Sequence, residues 1–351
     1  MKQGSASLEE IAHPGAFDEI IDVRSPAEFA EDHIPGAINC PVLDNEQRIE
    51  VGTLYKQASP FEAKKIGAAY VAENIARHLR EKFLDRPKTW RPLIVCWRRG
   101  QRSGSMTLIF RRIGWDACQL EGGYKVYRKQ VVETLAELPR RLRLKVVCGA
   151  TGSGKSRILQ ALARLGEQVL DLEELACHKG SVLGVLPDQP QPSQKAFESR
   201  LLLALRAFDP ERPVYVEAES RKIGHIHLPD ALLETMRAGR CLNVEAAFAA
   251  RVDFLLRDYA YFLQAPDWLN SRLDALRKLQ SRETVARWQD YVRAGQWREL
   301  VGELLALHYD PLYQRSQNRN YAGFTAAPQT FATDDLGAQG IEDVARRIAG
   351  R

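Results

Sequence analysis

Nothing in these 351 residues approaches the uninterrupted apolar run of roughly 18 to 20 that a bilayer-crossing helix needs. The opening stretch MKQGSASLEE has no apolar core and no cleavage pattern, so no signal peptide is expected and a cytoplasmic location follows. Cysteine is sparse and unpaired in pattern. Cys40, Cys96, Cys118, Cys148, Cys177 and Cys241 include no C-x-x-C, which argues against a disulfide framework and against a zinc site. Most of them read as small buried apolar side chains. A large charge excess is also missing: 50 basic against 45 acidic residues leaves +5, which permits an acidic partner such as RNA without demanding one. Internal repeats and low-complexity segments are absent, and no feature sets an oligomeric state.

What is present alternates between strand and helix. DEIIDVR (18–24) reads as a buried strand ending in polar residues, and SPAEFAEDHIPGA as a short helix closed by a Pro35-Gly36 turn. Residues 60–85 look helical, Leu93-Ile94-Val95 form a short apolar strand, and SMTLIFRRIGW is a further helix. A second alternation starts at LRLKVVCGATGSGKS, with another strand at RPVYVEAES, and from about 230 the chain reads as mainly helix. This pattern implies α/β architecture with parallel sheets. Two domains are expected, 1–137 and 138–351, the second with a helical C-terminal extension. The last 25 or so residues carry weak periodicity and are expected to be poorly ordered.

Two loops carry chemistry. The first is Cys96-Trp97-Arg98-Arg99-Gly100-Gln101-Arg102-Ser103, between a strand and a helix. Loop amides, a helix N-terminus and three arginines would form an anion cradle there, suited to a thiolate nucleophile. Six polar residues after the strand argue against a buried structural cysteine. Asp22, Arg24, Glu28, Phe29, His33, Ile34, Pro35 and Gly36, the Cys96 loop, and Leu120-Glu121-Gly122-Gly123-Tyr124 together resemble the rhodanese family over roughly residues 10–130. The resemblance implies that Cys96 carries a chalcogen as a persulfide or its selenium analogue. The C-x5-R spacing to Arg102 makes the loop one residue longer than in sulfur-transferring rhodaneses. That length resembles dual-specificity phosphatases and arsenate reductases, although Val95 stands where those phosphatases commonly have histidine. It would also suit a selenophosphate or thiophosphate donor. His33 is expected only to hydrogen-bond locally.

The second loop, Gly149-Ala150-Thr151-Gly152-Ser153-Gly154-Lys155-Ser156, fits G-x-x-x-x-G-K-[ST] after a strand and before a helix, the context a phosphate loop requires. Gly149, Thr151, Gly152, Ser153 and Gly154 would wrap phosphate oxygens, Lys155 would neutralise charge and Ser156 would ligate magnesium. Glu217 and Glu219, at the end of Val214-Tyr215-Val216, are candidate metal-orienting acids.

The order of the two domains resembles the bacterial tRNA 2-selenouridine synthase family. Further stretches support this: His178-Lys179-Gly180-Ser181, Gln191-Pro192-Ser193-Gln194-Lys195, Glu217-Ala218-Glu219-Ser220-Arg221 and Tyr309-Asp310-Pro311-Leu312-Tyr313. The resemblance implies a transferase acting on tRNA. It would replace the sulfur of a wobble 2-thiouridine with selenium from selenophosphate, after S-geranylation from geranyl diphosphate. For tRNA contacts the candidates are Arg272, Arg277, Lys278 and Arg282, with Arg251, Arg257, Arg287 and Arg293 nearby and Tyr259, Tyr261, Trp268 and Trp288 as stacking partners. A solvated helix face over an aromatic core fits the same residues. Two other functions stay open: a rhodanese-type sulfurtransferase or C-x5-R phosphatase fused to a nucleotide kinase, and a non-catalytic module switched by a nucleotide.

Overall fold

The computed structural model describes residues 4–11, 15–320 and 329–351. The chain divides into two compact units, Met1–Thr134 with Lys195–Leu203, and Leu135–Gln194 with Ala204–Arg351. No helix among the described residues is long and apolar enough to cross a membrane.

The first unit is built on strands β1 (Ser5–Ala6), β2 (Glu19–Asp22), β3 (Ile38–Asn39), β4 (Pro92–Val95) and β5 (Cys118–Leu120). They pair in the order β1-β5-β4-β2-β3, every pair parallel. The central strand β4 is buried along its whole length, as a parallel strand covered on both faces must be. Helix Pro26–Glu31 starts where Ser25 and Glu28 form a capping box and a proline occupies the first turn. Asp22 lies opposite Val95, so the loops after β2 and β4 leave the same sheet edge side by side. Beneath them, Ile21, Ile94, Met106, Phe110 and Trp115 pack in one core.

The second unit carries β6 (Leu144–Cys148), β7 (Gln168–Leu170), β8 (Val214–Glu217), a small antiparallel hairpin β9 (Lys222–Ile223) and β10 (Ile226–His227), then β11 (Arg240–Ala246) and β12 (Gln329–Thr333). The main sheet runs β12-β11-β6-β8-β7, again all parallel. β6 sits in the middle, and the phosphate loop follows it into helix Lys155–Arg164. Helices from Phe248 to Asn320 form the helical part, with a core around Leu273, Leu276, Val285 and Trp288.

The tail differs from expectation. Gln329–Thr333 is an edge strand, and Ala338–Ala349 is a helix burying Ile341, Val344, Ala345 and Ile348. Their i, i+3, i+4, i+7 spacing is one helix face, and burying each of the larger three contributes roughly 1.5–3 kcal/mol. The C-terminal part is helical as expected, but it returns to the sheet through β12 before its last helix. Of the last 25 residues, 327 and 328 lie outside the described ones.

Candidate active sites

Cys96 stands at the end of β4, where the sheet edge delivers it. Its side chain is only 3% exposed, contrary to the expectation from the polar run. The chain turns after Cys96, so that Trp97, Arg98 and Arg99 face outward while the sulfur stays over the core. Ser103 Oγ donates to Cys96 Sγ at 3.1 Å from the first turn of helix Gln101–Ile113, which Gly100 caps. The closing motif holds the loop from the other side: the Tyr124 amide donates to Cys96 O at 2.8 Å and the Lys125 amide to Trp97 O at 3.0 Å. Gly123 makes this approach possible, since it sits at φ +60 and a Cβ there would lie 2.4 Å from Cys96 O.

The loop arginines divide. Arg102 makes a two-pronged ion pair with Glu28, at 2.7 and 3.1 Å. Burial works to raise the Glu28 pKa, but the Arg102 hydrogen bond and charge, the Ser25 amide and Arg48 bring it down to about 2. Arg98 and Arg99 are exposed and make no hydrogen bond or ion pair with the described residues. Behind the loop, buried Arg24 pairs with Asp22 at 2.6 Å and lies 3.9 Å from the Tyr124 ring centroid. Tyr124 donates to Asp32 at 2.6 Å. His33 bonds Phe29 O at 2.9 Å and stacks on the Phe29 ring, a local role as expected.

In the second unit, Thr151, Gly152, Gly154, Lys155 and Ser156 line a cavity of about 490 Å³. The other two predicted loop residues sit behind it. Gly149 donates its amide to the Tyr313 hydroxyl at 2.5 Å, and Ser153 is buried with its hydroxyl unpartnered. Lys155 Nζ lies 3.4 Å from Glu217 Oε1. Ser156 Oγ lies 2.9 Å from Glu217 Oε2 and 3.0 Å from Glu173 Oε2. Glu217 reaches this spot because β8 runs beside β6 with Glu217 opposite Val147. Glu219 follows two residues beyond the strand, and its carboxylate joins those of Glu173 and Glu217 with ligand atoms all within 4.8 Å. Burial first, then repulsion from Glu217, pushes Glu173 up to about 10 and Glu219 up to about 8. Three crowded carboxylates facing one lysine resist ionising together, an oxygen-rich arrangement that a divalent cation would relieve. Gly180 keeps the space open, because a Cβ there would come within 2.9 Å of both Glu173 and Glu219.

Sequence reasoning missed Glu173. It sits on the five-residue helix Leu172–Ala176, and its only signal was position after the strand next to β8. It also missed how the YDPLY segment works. Arg251 donates Nε to Thr151 O at 2.8 Å and pairs with Asp310 at 2.6 Å, so it braces the phosphate loop and is 7% exposed. Lys179 pairs with Asp258 at 2.5 Å and lies 4.1 Å from the Tyr259 ring centroid, facing the same cavity.

A second cavity opens beside the first. Leu256, Phe262, Leu269, Leu300, Val301 and Leu304 line it, and Thr151, Ser181, Leu255, Tyr259 and Tyr309 border both. It measures about 80 Å³, where one water takes about 10–15 Å³ by the same measure.

Of the expected tRNA contacts, Arg277 pairs with Asp274 and Arg272 lies against Trp268 with its Nε buried, while Lys278 and Arg282 are exposed. Arg287 and Arg293 pair with Glu303 and Asp290. Trp288 is fully buried, which removes it as a stacking partner, and the partly buried Tyr259, Tyr261 and Trp268 pack against the same core.

A model of the tRNA 2-selenouridine synthase AAA domain matches residues 142–332, and a rhodanese-like domain model matches 5–130. The chain belongs to the tRNA 2-selenouridine synthase family. The tRNA 2-selenouridine synthase of Alcanivorax borkumensis is 32% identical over 333 residues, 86% of this chain and 90% of its own. That of Nitrosomonas europaea is 37% identical over 247 residues, 68% of this chain. The chain spans 63% of the length of the Nitrosomonas europaea relative and 62% of that from Nitrosomonas eutropha.

Proposed function

We propose that this protein is a tRNA-modifying transferase that exchanges the sulfur of a wobble 2-thiouridine for selenium, in two steps served by two sites. The relatives bear the name tRNA 2-selenouridine synthase, which supports the overall exchange. The observation that carries the finer reading is the apolar cavity that shares lining residues with the phosphate-loop cavity. A nucleobase needs polar partners, whereas this lining is aliphatic and aromatic apart from a few hydroxyls at its border. It suits the tail of an isoprenyl diphosphate whose head lies on the loop.

In the first step, the thiouridine sulfur attacks C1 of geranyl diphosphate. A C–S bond forms, the C–O bond breaks and diphosphate leaves. Lys155 and the loop amides hold the departing charge. Ser156, Glu173, Glu217 and Glu219 would hold a magnesium ion, which when bound supplies further neutralisation of the diphosphate. In the second step, the selenium of selenophosphate held at the Cys96 loop adds at C2 of the base, the C–S bond breaks and geranylthiol leaves; the P–Se bond breaks as water takes the phosphoryl group, releasing orthophosphate. Alkylation is what makes this feasible, because a neutral thiol departs more readily than a thiolate sulfur held on the ring.

Mass spectrometry of tRNA nucleosides tests this. Wild-type protein with geranyl diphosphate alone should yield the S-geranyl nucleoside, and with selenophosphate added, selenouridine. Cys96→Ser should accumulate the geranylated base and form no selenouridine. Selenouridine from that variant would remove Cys96 from the second step. Val301→Trp, which narrows the apolar cavity, should raise KM for geranyl diphosphate roughly tenfold, about 1.4 kcal/mol, and leave inorganic diphosphate inhibition unchanged. An equal effect on both ligands would place the tail elsewhere.

A further inference from the structure

The aromatic side chains expected to meet an unpaired base lie in or against a core, whereas another tryptophan is exposed. Among the described residues Trp97 is the only exposed tryptophan, at 43%, and it directly follows Cys96. Its ring is not loose. It stacks with Tyr124 at 5.6 Å and 29°, and Tyr124 is fixed in turn by Asp32 and by the Arg24 guanidinium at 3.9 Å. The backbone carbonyl of Trp97 is held by the Lys125 amide. The chain thus spends a buried ion pair and a buried tyrosine on orienting a ring that ends in solvent. Around it stand Arg98, Arg99 and Lys125, all exposed and none with a side-chain hydrogen bond or ion pair among the described residues.

We infer that Trp97, with Arg98, Arg99 and Lys125, is the platform that receives a single-stranded RNA loop, the indole stacking on the target base and the cations meeting flanking phosphates. This rests on the tRNA reading above. An ordered aromatic beside unpaired cations is the recognition chemistry of unpaired nucleotides, since every base offers a π-face and every linkage a charge. A membrane or an acidic peptide would use the cations but gain nothing from a single pre-stacked ring. Placement one residue from Cys96 brings the base to the loop that handles selenium.

The test uses the full chain and two synthetic anticodon hairpins, one carrying 2-thiouridine at the wobble position and one abasic there. Trp97→Ala should weaken the intact hairpin about 5- to 100-fold and leave the abasic one unchanged. Trp97→Phe should retain most of the affinity. The wild-type chain should itself discriminate between the hairpins by a similar factor, a comparison that needs no folded variant. Arg98→Ala with Arg99→Ala should flatten the slope of log affinity against log salt by about 0.7 per lost phosphate contact. Equal binding of both hairpins by wild type, or equal loss on both from Trp97→Ala, overturns the platform while the tRNA reading stands. A wild-type chain that binds neither hairpin removes both.

Discussion

Glu28 shows how one side chain can join two parts of a site. It is the third helical residue of a capping box, accepting from the Ser25 amide at 3.1 Å, and it also orients Arg102. With its carboxyl held at about 2 against an ordinary 4.5, the interaction is worth at most about 3 kcal/mol at neutral pH. A depressed carboxyl contributes stability that is fully present above its unfolded pKa and lost as pH falls through the folded one. Glu28→Gln should therefore lose up to about 3 kcal/mol at neutral pH. The gap to wild type should close between about 4.5 and about 2, as read by urea melts across that range. A gap independent of pH would mean that packing, and not the ion pair, is responsible. The sequence displays Glu28 and Arg102 as separate motif residues. Their pairing across 74 positions depends on β2 and β4 being neighbours, which no local pattern states.

At the scale of elements, the turn between β5 and helix Gly123–Glu137 sets the Cys96 loop. Gly123→Ala should cost about 1–2 kcal/mol for the left-handed backbone. A further loss is expected because the new methyl would displace the Cys96 carbonyl. Gly36→Ala is the control, since Gly36 has φ +82 but nothing within 4 Å, so only the backbone cost applies. Urea midpoints compare the two, and the rate of Cys96 alkylation should change in the first variant alone. Equal effects would show that the contact with Cys96 O is not what the glycine protects. Element types along the chain were readable because apolar runs and glycine punctuation are local. The tail helix escaped because its buried residues form a narrow stripe within an otherwise polar segment.

At the scale of the whole molecule, the first unit draws on residues far along the chain. Ser199 donates to Asp32 at 3.0 Å, Lys195 pairs with Glu31 at 2.6 Å and Glu198 pairs with Arg128. Asp32 also holds Tyr124, so this distant segment reaches the Cys96 loop through one carboxylate. A fragment of residues 1–134 lacks Lys195–Leu203 and should be less stable than the same unit in the full chain. The loss of Ser199 alone should cost about 1–3 kcal/mol for a buried acceptor left short of a donor. Hydrogen exchange of β2 and β4 amides in fragment and full chain measures it, and equal protection would contradict it. By itself the sequence determined the two parallel-sheet units, the cysteine loop and the phosphate loop, because each is written in contiguous residues whose spacing carries its own geometry. Only the tertiary structure decided that Glu173 joins Glu217 and Glu219, that Arg251 braces the phosphate loop, and that Trp288 is core while Trp97 faces solvent. Those outcomes depend on which elements become neighbours, and the periodicity of a single segment contains no record of what will pack against it.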